Sequence, residues 1–224
     1  MDSSIPFEKA VLAAAVAAPA PGAQHSAEWF AARVGKATAS RSWDVIAKTR
    51  SGYSAARKRY AIELATERLT GVGIDVFVTR DMQWGTDKEP IARDRYCDVT
   101  GATVKEVGMV MHPTIANGGA SPDGLVGRVG LIEIKCPKTT TMIETVLSGQ
   151  IPEKYQAQMN WQLACTGRKW CDFVMFDPRL PEHSQIWIKR HERDDAVIAE
   201  LESEVATFLD EVEALTSEFL EAVK

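Results

Sequence analysis

Three side chains carry the chemistry this sequence can be read for. Within Ser121–Pro137 (SPDGLVGRVGLIEIKCP) stand two acids, Asp123 and Glu133, and one amine, Lys135. Two carboxylates aimed at one point repel each other unless a cation sits between them, and oxygen-only donors favour Mg²⁺ or Mn²⁺ over softer metals. An amine beside such an ion can orient a water and stabilise charge on a phosphate under attack, which is the equipment of metal-assisted phosphodiester hydrolysis. An E-x-K pair taken alone reads as a solvated surface pair. The Pro-Asp-Gly bend, the ten-residue step from Asp123 to Glu133 and a polar pair on an apolar strand shift the balance.

The element that must position these groups is a β-hairpin. Asp123 to Val126 forms one arm, Gly127-Arg128-Val129-Gly130 supplies a turn, and Leu131 to Lys135 returns. Strand side chains repeat with period two, so Ile132 and Ile134 share one face and Glu133 and Lys135 the other. A two-residue turn at Arg128-Val129 would put the two acids on opposite faces, because a one-residue slip flips every side chain. The pattern therefore predicts an odd-length loop or bulge. With a three-residue loop at 127–129, Asp123 faces Glu133 at roughly 5 Å between Cβ atoms.

Here the sequence resembles the PD-(D/E)XK nucleases, and within them the phage lambda exonuclease or YqaJ-type viral recombinase group. SPDG followed by LIEIKCP carries the likeness, with further matches at Trp29 to Arg33, Gly35, Thr38-Ala39-Ser40, Trp84-Gly85, Glu89, Ala157-Gln158 and Phe176-Asp177-Pro178-Arg179, so it runs from about residue 28 to about residue 193. The resemblance implies an α/β fold with a mixed sheet flanked by helices. It implies one or two Mg²⁺ ions, with Mn²⁺ as a substitute, held by Asp123, Glu133 and the Ile134 carbonyl. Lys135 would position the attacking water, supported by Glu89 and Gln158; Arg33, Ser40 and Ser121 would bind a 5′-terminal phosphate. Arg50 matches a position near the DNA end, and Met82 an apolar wedge between terminal base pairs. Related nucleases often have Tyr four residues after the Gln, where this chain has Gln162.

The implied activity is processive 5′→3′ digestion of linear double-stranded DNA with 5′-phosphate ends. It leaves 3′ single strands for a single-strand annealing protein in phage-type recombination, and the implied assembly is a homotrimeric ring. A PD-(D/E)XK endonuclease and a non-catalytic DNA-end-binding protein are the alternatives.

Composition sets wider bounds. A chain of 224 residues with 45% apolar content buries a core of one moderately large domain. A net charge of −5 argues against coating nucleic acid over the whole surface, though not against a basic groove. No run of eighteen apolar residues suggests a membrane span. Cys97, Cys136, Cys165 and Cys171 lack metal-binding spacing and read as reduced thiols of a cytoplasmic protein, in a bacterial host and of phage or prophage origin by the resemblance.

Residues 1–25, rich in Ala and Pro, read as an N-terminal arm or short helix, and 26–224 as the nuclease domain with a long C-terminal helix. Ala27 to Val34 reads as a first helix and Ser40 as either an N-cap of the next or a phosphate ligand. Lys48, Arg50, Arg57, Lys58 and Arg59 form the densest basic run, a solvated face or a DNA-backbone contact. Thr86-Asp87-Lys88-Glu89 has the form of a capping box opening a helix at 87–98, although the resemblance turns Glu89 toward the metal site. Val104 to Met111 reads as one strand and His112 as a loop histidine without a metal role. Two helices are expected at 139–147 and 153–165, with strands at 170–176 and 186–189. The stripe Ile198, Leu201, Val205, Phe208, Val212, Leu215 and Phe219 predicts an acidic helix that covers the sheet or lines a subunit contact.

Overall fold

Strand β9 (Trp170–Phe176) shows why the chain folds as it does: its seven residues are buried almost throughout, which places it in the middle of a sheet covered on both faces. The computed structural model describes residues 24–74 and 78–224, so nearly all of the expected N-terminal arm lies outside the described residues. Around β9 runs a five-stranded sheet. It pairs antiparallel with β10 (Ile186–Glu192) on one side and parallel with β8 (Gly130–Lys135) on the other. β7 (Gly124–Val126) and β4 (Val104–Lys105) complete the order β10-β9-β8-β7-β4. The sheet is mixed and flanked by helices, as the sequence implied.

The parallel β8–β9 pair needs a crossover, supplied by α5 (Thr139–Ser148) and α6 (Glu153–Thr166). Alternation along the strands builds two cores. Leu131, Cys171, Phe173 and Met175 pack with Met159 and Leu163 of α6. Ile132, Ile134, Val174 and Phe176 pack instead with Ala92 and Tyr96 of α4 (Arg80–Thr100). The face that carries Glu133 is thus the α6 face.

The hairpin has the register that parity demanded. Val126 pairs with Gly130 and Gly124 with Ile132, leaving a three-residue loop, and the next pair outward sets Asp123 opposite Glu133. Gly127 opens the loop at φ +53, a left-handed conformation that favours glycine. Gly124 is held for a different reason: a Cβ there would stand 2.2 Å from Val104 Cγ1.

Four local expectations are corrected. The helix expected at 87–98 begins seven residues earlier, capped by Thr79 Oγ1, which accepts from Met82 N at 3.2 Å. The supposed capping box therefore lies inside α4, where Thr86 donates to the Met82 carbonyl. Val104 to Met111 is two short strands in different sheets, β4 and β5 (Val110–Met111), the latter pairing with β6 (Gly118–Ala120). Ser40 is no helix cap, since it lies within a 3₁₀ turn, Ala39–Arg41, ahead of α2 (Ser42–Ile46). α3 (Ala55–Thr70) ends at left-handed Gly71. α7 (Asp195–Ala222) buries its predicted stripe from Ile198 to Val212 against α3, α6 and α2 rather than against the sheet, while Phe219 stays exposed.

Candidate active site

Where the hairpin meets α4, α6 and α1 (Ala27–Arg33), a cavity of about 450 Å³ opens. Asp123, Glu133, Ile134 and Lys135 line it from the hairpin, Glu89 and Met82 from α4, Gln158 from α6, and Arg33, Ser40 and Ser121 from its far end. Every site residue expected from the sequence reaches this cavity except Arg50. That residue sits exposed in the turn between β2 (Lys48–Thr49) and β3 (Gly52–Tyr53).

Glu133 is wholly buried, and its carboxylate is held from three directions. Lys135 Nζ and Gln158 Nε2, the latter at 2.7 Å, donate to Oε1, and Gln162 Nε2 donates to Oε2 at 2.5 Å. Asp123 Oδ2 accepts from the Ile134 backbone N–H at 2.6 Å, which aims this carboxylate along the end of β8. Glu89 approaches from α4, tied to Arg93 at 2.5 Å.

The electrostatics follow from this crowding. Burial, then Glu133 and Glu89, push the Asp123 carboxyl well above its ordinary value. Glu89 is raised by burial and by Glu133, against the pull of Arg93. Burial pulls the Lys135 amine down, but Glu133 and Asp123 outweigh it and hold the amine protonated. The Cys136 thiol is pushed up to about 12, chiefly by burial, so it offers no thiolate.

The donor set fits a hard divalent cation: the groups that face one another are carboxylates, and their mutual repulsion is what such an ion removes. Among the described residues no three acidic, histidine or cysteine side chains already stand close enough to cage an ion. Lys135 provides the counter-charge on Glu133 instead, so the Glu133 Oε1 contact is the one an incoming ion would have to compete for.

At the far end, Arg33 Nη1 reaches Ser121 Oγ at 3.4 Å and Nη2 reaches Ser40 Oγ at 3.5 Å. Trp29 Nε1 also donates to Ser121 Oγ, at 2.9 Å, and the Arg33 guanidinium lies 4.3 Å from the Trp29 ring. Burial lowers the Arg33 guanidinium from its ordinary value, against weaker opposite pulls from Tyr60 and Glu67. A cation bonded to hydroxyls keeps its capacity to bind an anion.

The motif residues outside the cavity brace it. Asp177 is gripped by Arg179 and by Thr139 at the start of α5, and Arg179 lies 4.6 Å from the Trp84 ring on α4. His112 has no role here: it is buried, stacked on Trp161 and bonded to Glu202. Of the basic run, Arg57 is buried in ion pairs with α7. Sequence reasoning gave Gln162 no place in the site. The available signal was two glutamines four apart in an apolar helix, one turn above each other.

A model of the YqaJ-like viral recombinase domain matches residues 28–169. The chain is similar to LHK-Exo, an alkaline exonuclease from Laribacter hongkongensis. Identity to that protein is 52% over 88% of this chain and 98% of that one, with TM-scores of 0.83 for its dAMP complex and 0.82 for the other structure. A phage-related exonuclease from Haemophilus somnus 129PT shares the fold at 16% identity and a TM-score of 0.65, covering 82% of this chain and 96% of that one. No curated protein matches the chain.

Proposed function

Since the chain belongs to the YqaJ-like viral recombinase domain family, we propose that it is a Mg²⁺-dependent exonuclease that digests one strand of linear double-stranded DNA from 5′-phosphate ends, leaving 3′ overhangs for recombination. The observation that carries this reading is the single cavity in which the acids and amine of the hairpin face the Arg33–Ser121–Ser40 cluster. The relative with 52% identity is an alkaline exonuclease with a structure in complex with dAMP, a deoxynucleoside monophosphate of the kind such digestion releases.

Asp123, Glu133 and the Ile134 carbonyl would hold one or two Mg²⁺, or Mn²⁺ in their place. When bound, the ion would supply Lewis-acid polarisation of the phosphate and would make a nearby water more acidic. Lys135, held protonated, donates hydrogen bonds that orient the attacking water and balance the charge that grows on the phosphate. Gln158 fixes one oxygen of Glu133, and Glu89, anchored by Arg93, would support Lys135 in positioning the attacking water. Arg33, Ser40 and Ser121 grip the terminal 5′ phosphate and so set the distance from strand end to scissile bond. Met82, 48% exposed and lining the cavity, would wedge terminal base pairs apart. A homotrimeric ring enclosing its substrate would give processivity to a chain of net charge −5. The annealing protein would take up the 3′ strand, in the cytoplasm of a phage- or prophage-bearing host. Among the described residues no helix is long and apolar enough to cross a membrane.

The test is Mg²⁺-dependent release of label from duplex DNA marked separately at each end, against covalently closed circles, with wild type and Lys135→Ala. Early loss of 5′ label from linear DNA alone, only with Lys135 present, is the expected result. Cutting of circles would make the protein an endonuclease. DNA binding without any Mg²⁺-dependent product would make it an end-binding protein.

A further inference from the structure

Gln162 lies outside the cavity lining yet touches its central acid. Its residue is 0% exposed, and its Nε2 stands 2.5 Å from Glu133 Oε2, the carboxylate oxygen turned away from Lys135. Turning the amide over would set its carbonyl against a carboxylate, acceptor against acceptor, so the N–H side must face Glu133. The other end of the amide agrees with this assignment. Gln162 Oε1 lies 3.9 Å from Cys171 Sγ, and that thiol stays protonated because burial, followed by Glu133, raises it well above its ordinary value.

A chain of donors therefore runs from the β9 thiol through the α6 amide to the β8 acid. The backbone supports it, because Leu131 and Glu133 of β8 pair with Cys171 and Phe173 of β9. One α6 turn earlier, Gln158 takes Oε1, so the two glutamines hold the two oxygens of one carboxylate.

We propose that Gln162 is a positioning residue that sets divalent-cation affinity by fixing Glu133 Oε2, leaving Oε1 as the oxygen presented to the ion, with Cys171 orienting the amide. Gln158, at the cavity wall, contacts the oxygen the ion shares; Gln162 acts only through Glu133. With Oε2 anchored, the carboxylate keeps its orientation while an ion displaces Lys135 from Oε1; without that anchor it must be re-ordered at the moment its Oε1 partners give way. The proposal rests on the metal site of the preceding section, and its test separates the two.

Mn²⁺ binding to the full chain is measured by titration calorimetry without DNA, for wild type, Gln162→Met and Cys171→Ala, with thermal midpoints recorded beside it. Methionine keeps the length of the side chain and removes the donor. The expected result is an increase of about tenfold in the Mn²⁺ dissociation constant for Gln162→Met. The Mg²⁺ concentration for half-maximal nuclease activity should rise in parallel, and kcat should largely recover at saturating Mg²⁺. Cys171→Ala should shift the dissociation constant the same way by about two- to threefold, since a thiol is a weak donor, and it carries the test if Gln162→Met does not fold. Wild-type Mn²⁺ affinity in folded Gln162→Met, or in Cys171→Ala where that variant carries the test, would overturn the proposal, whatever happens to the thermal midpoint. Absence of Mn²⁺ uptake by the wild type would instead overturn the metal site itself.

Discussion

The hairpin β7–β8 and the face between α3 and α7 both bring acids and bases together, and they treat the charge in opposite ways. On the α3–α7 face each base meets an acid where it stands: Arg57 pairs with Glu211 at 2.8 Å and Glu204 at 3.6 Å, Lys48 with Glu204 at 3.0 Å, Arg68 with Glu213 at 3.3 Å. In the cavity Glu89 has Arg93, but Asp123 and Glu133 have one lysine between them, and Asp123 is left with a backbone N–H as its donor. At the far end Arg33 has hydroxyls for partners. Paired charge holds a fold together; charge left short of partners is what remains available to bind an ion or a phosphate.

The largest effect this contrast predicts is on catalysis. Lys135→Ala should lower the rate of nucleotide release by about 100- to 1,000-fold, as expected if the charged group proposed to act on the reacting phosphate is lost. Asp123→Asn should be as inactive, yet should raise the thermal midpoint in EDTA, because it removes one member of a like-charged buried group. Mg²⁺ should then stabilise the wild type and leave Asp123→Asn unmoved, which paired melting curves with and without the ion would check. A drop in the midpoint of Asp123→Asn in EDTA would mean that its carboxylate is compensated after all.

On the other face the signs reverse. Arg57→Met leaves Glu211 and Glu204 without their buried partner and should cost about 2–3 kcal/mol in urea denaturation, less than a fully buried pair because Glu211 is 46% exposed. Its folded fraction should keep wild-type specific activity. If activity fell with stability intact, Arg57 would belong to the DNA-binding surface its place in the basic run first suggested.

How far all this could be read in advance depended on the range of the interaction. The hairpin register was legible because period two and loop parity are local, and they fix Asp123 against Glu133 with no knowledge of neighbours. Resemblance turned Glu89 toward the hairpin acids, whose cavity it lines, while local grammar set it wrongly in a cap. Thr86 to Glu89 spells a cap, but Thr79 offers one seven residues earlier, and Trp84 stacked under Arg179 gives the first turns of α4 something to pack on. Val104 to Met111 splits because its two ends pair with different sheets, a choice made by distant strands. The fate of Arg57 was decided by acids more than 140 positions away, beyond any window. Gln162 was visible as a residue type, but only the register of β8 on β9 brings Glu133 beneath α6.

A smaller effect concerns charge that is avoided rather than paired. Burial lowers His112 and His191 below the ordinary histidine value of 6.5, against the pull of Glu202 on the former. Each binds a proton more weakly folded than unfolded. Their contribution to stability is therefore complete above 6.5 and is lost as pH falls below it. Denaturation midpoints at about pH 8 and about pH 5.5 should show the decline, and His112→Gln should flatten it.

The finest test lies within the basic run itself, where two neighbours differ only in whether a partner has claimed them. Lys48 is spoken for by Glu204 at 3.0 Å, while no ion pair among the described residues involves Arg50. A cation already neutralised by a carboxylate releases few counterions when a phosphate approaches, so its removal changes little. Arg50→Ala should therefore reduce the slope of log affinity against log salt for duplex ends by about 0.9, and Lys48→Ala by much less. Equal slopes for the two variants would mean that DNA can strip Lys48 from Glu204, and that exposed pairing at 58% lysine exposure is too weak to withhold a charge from function.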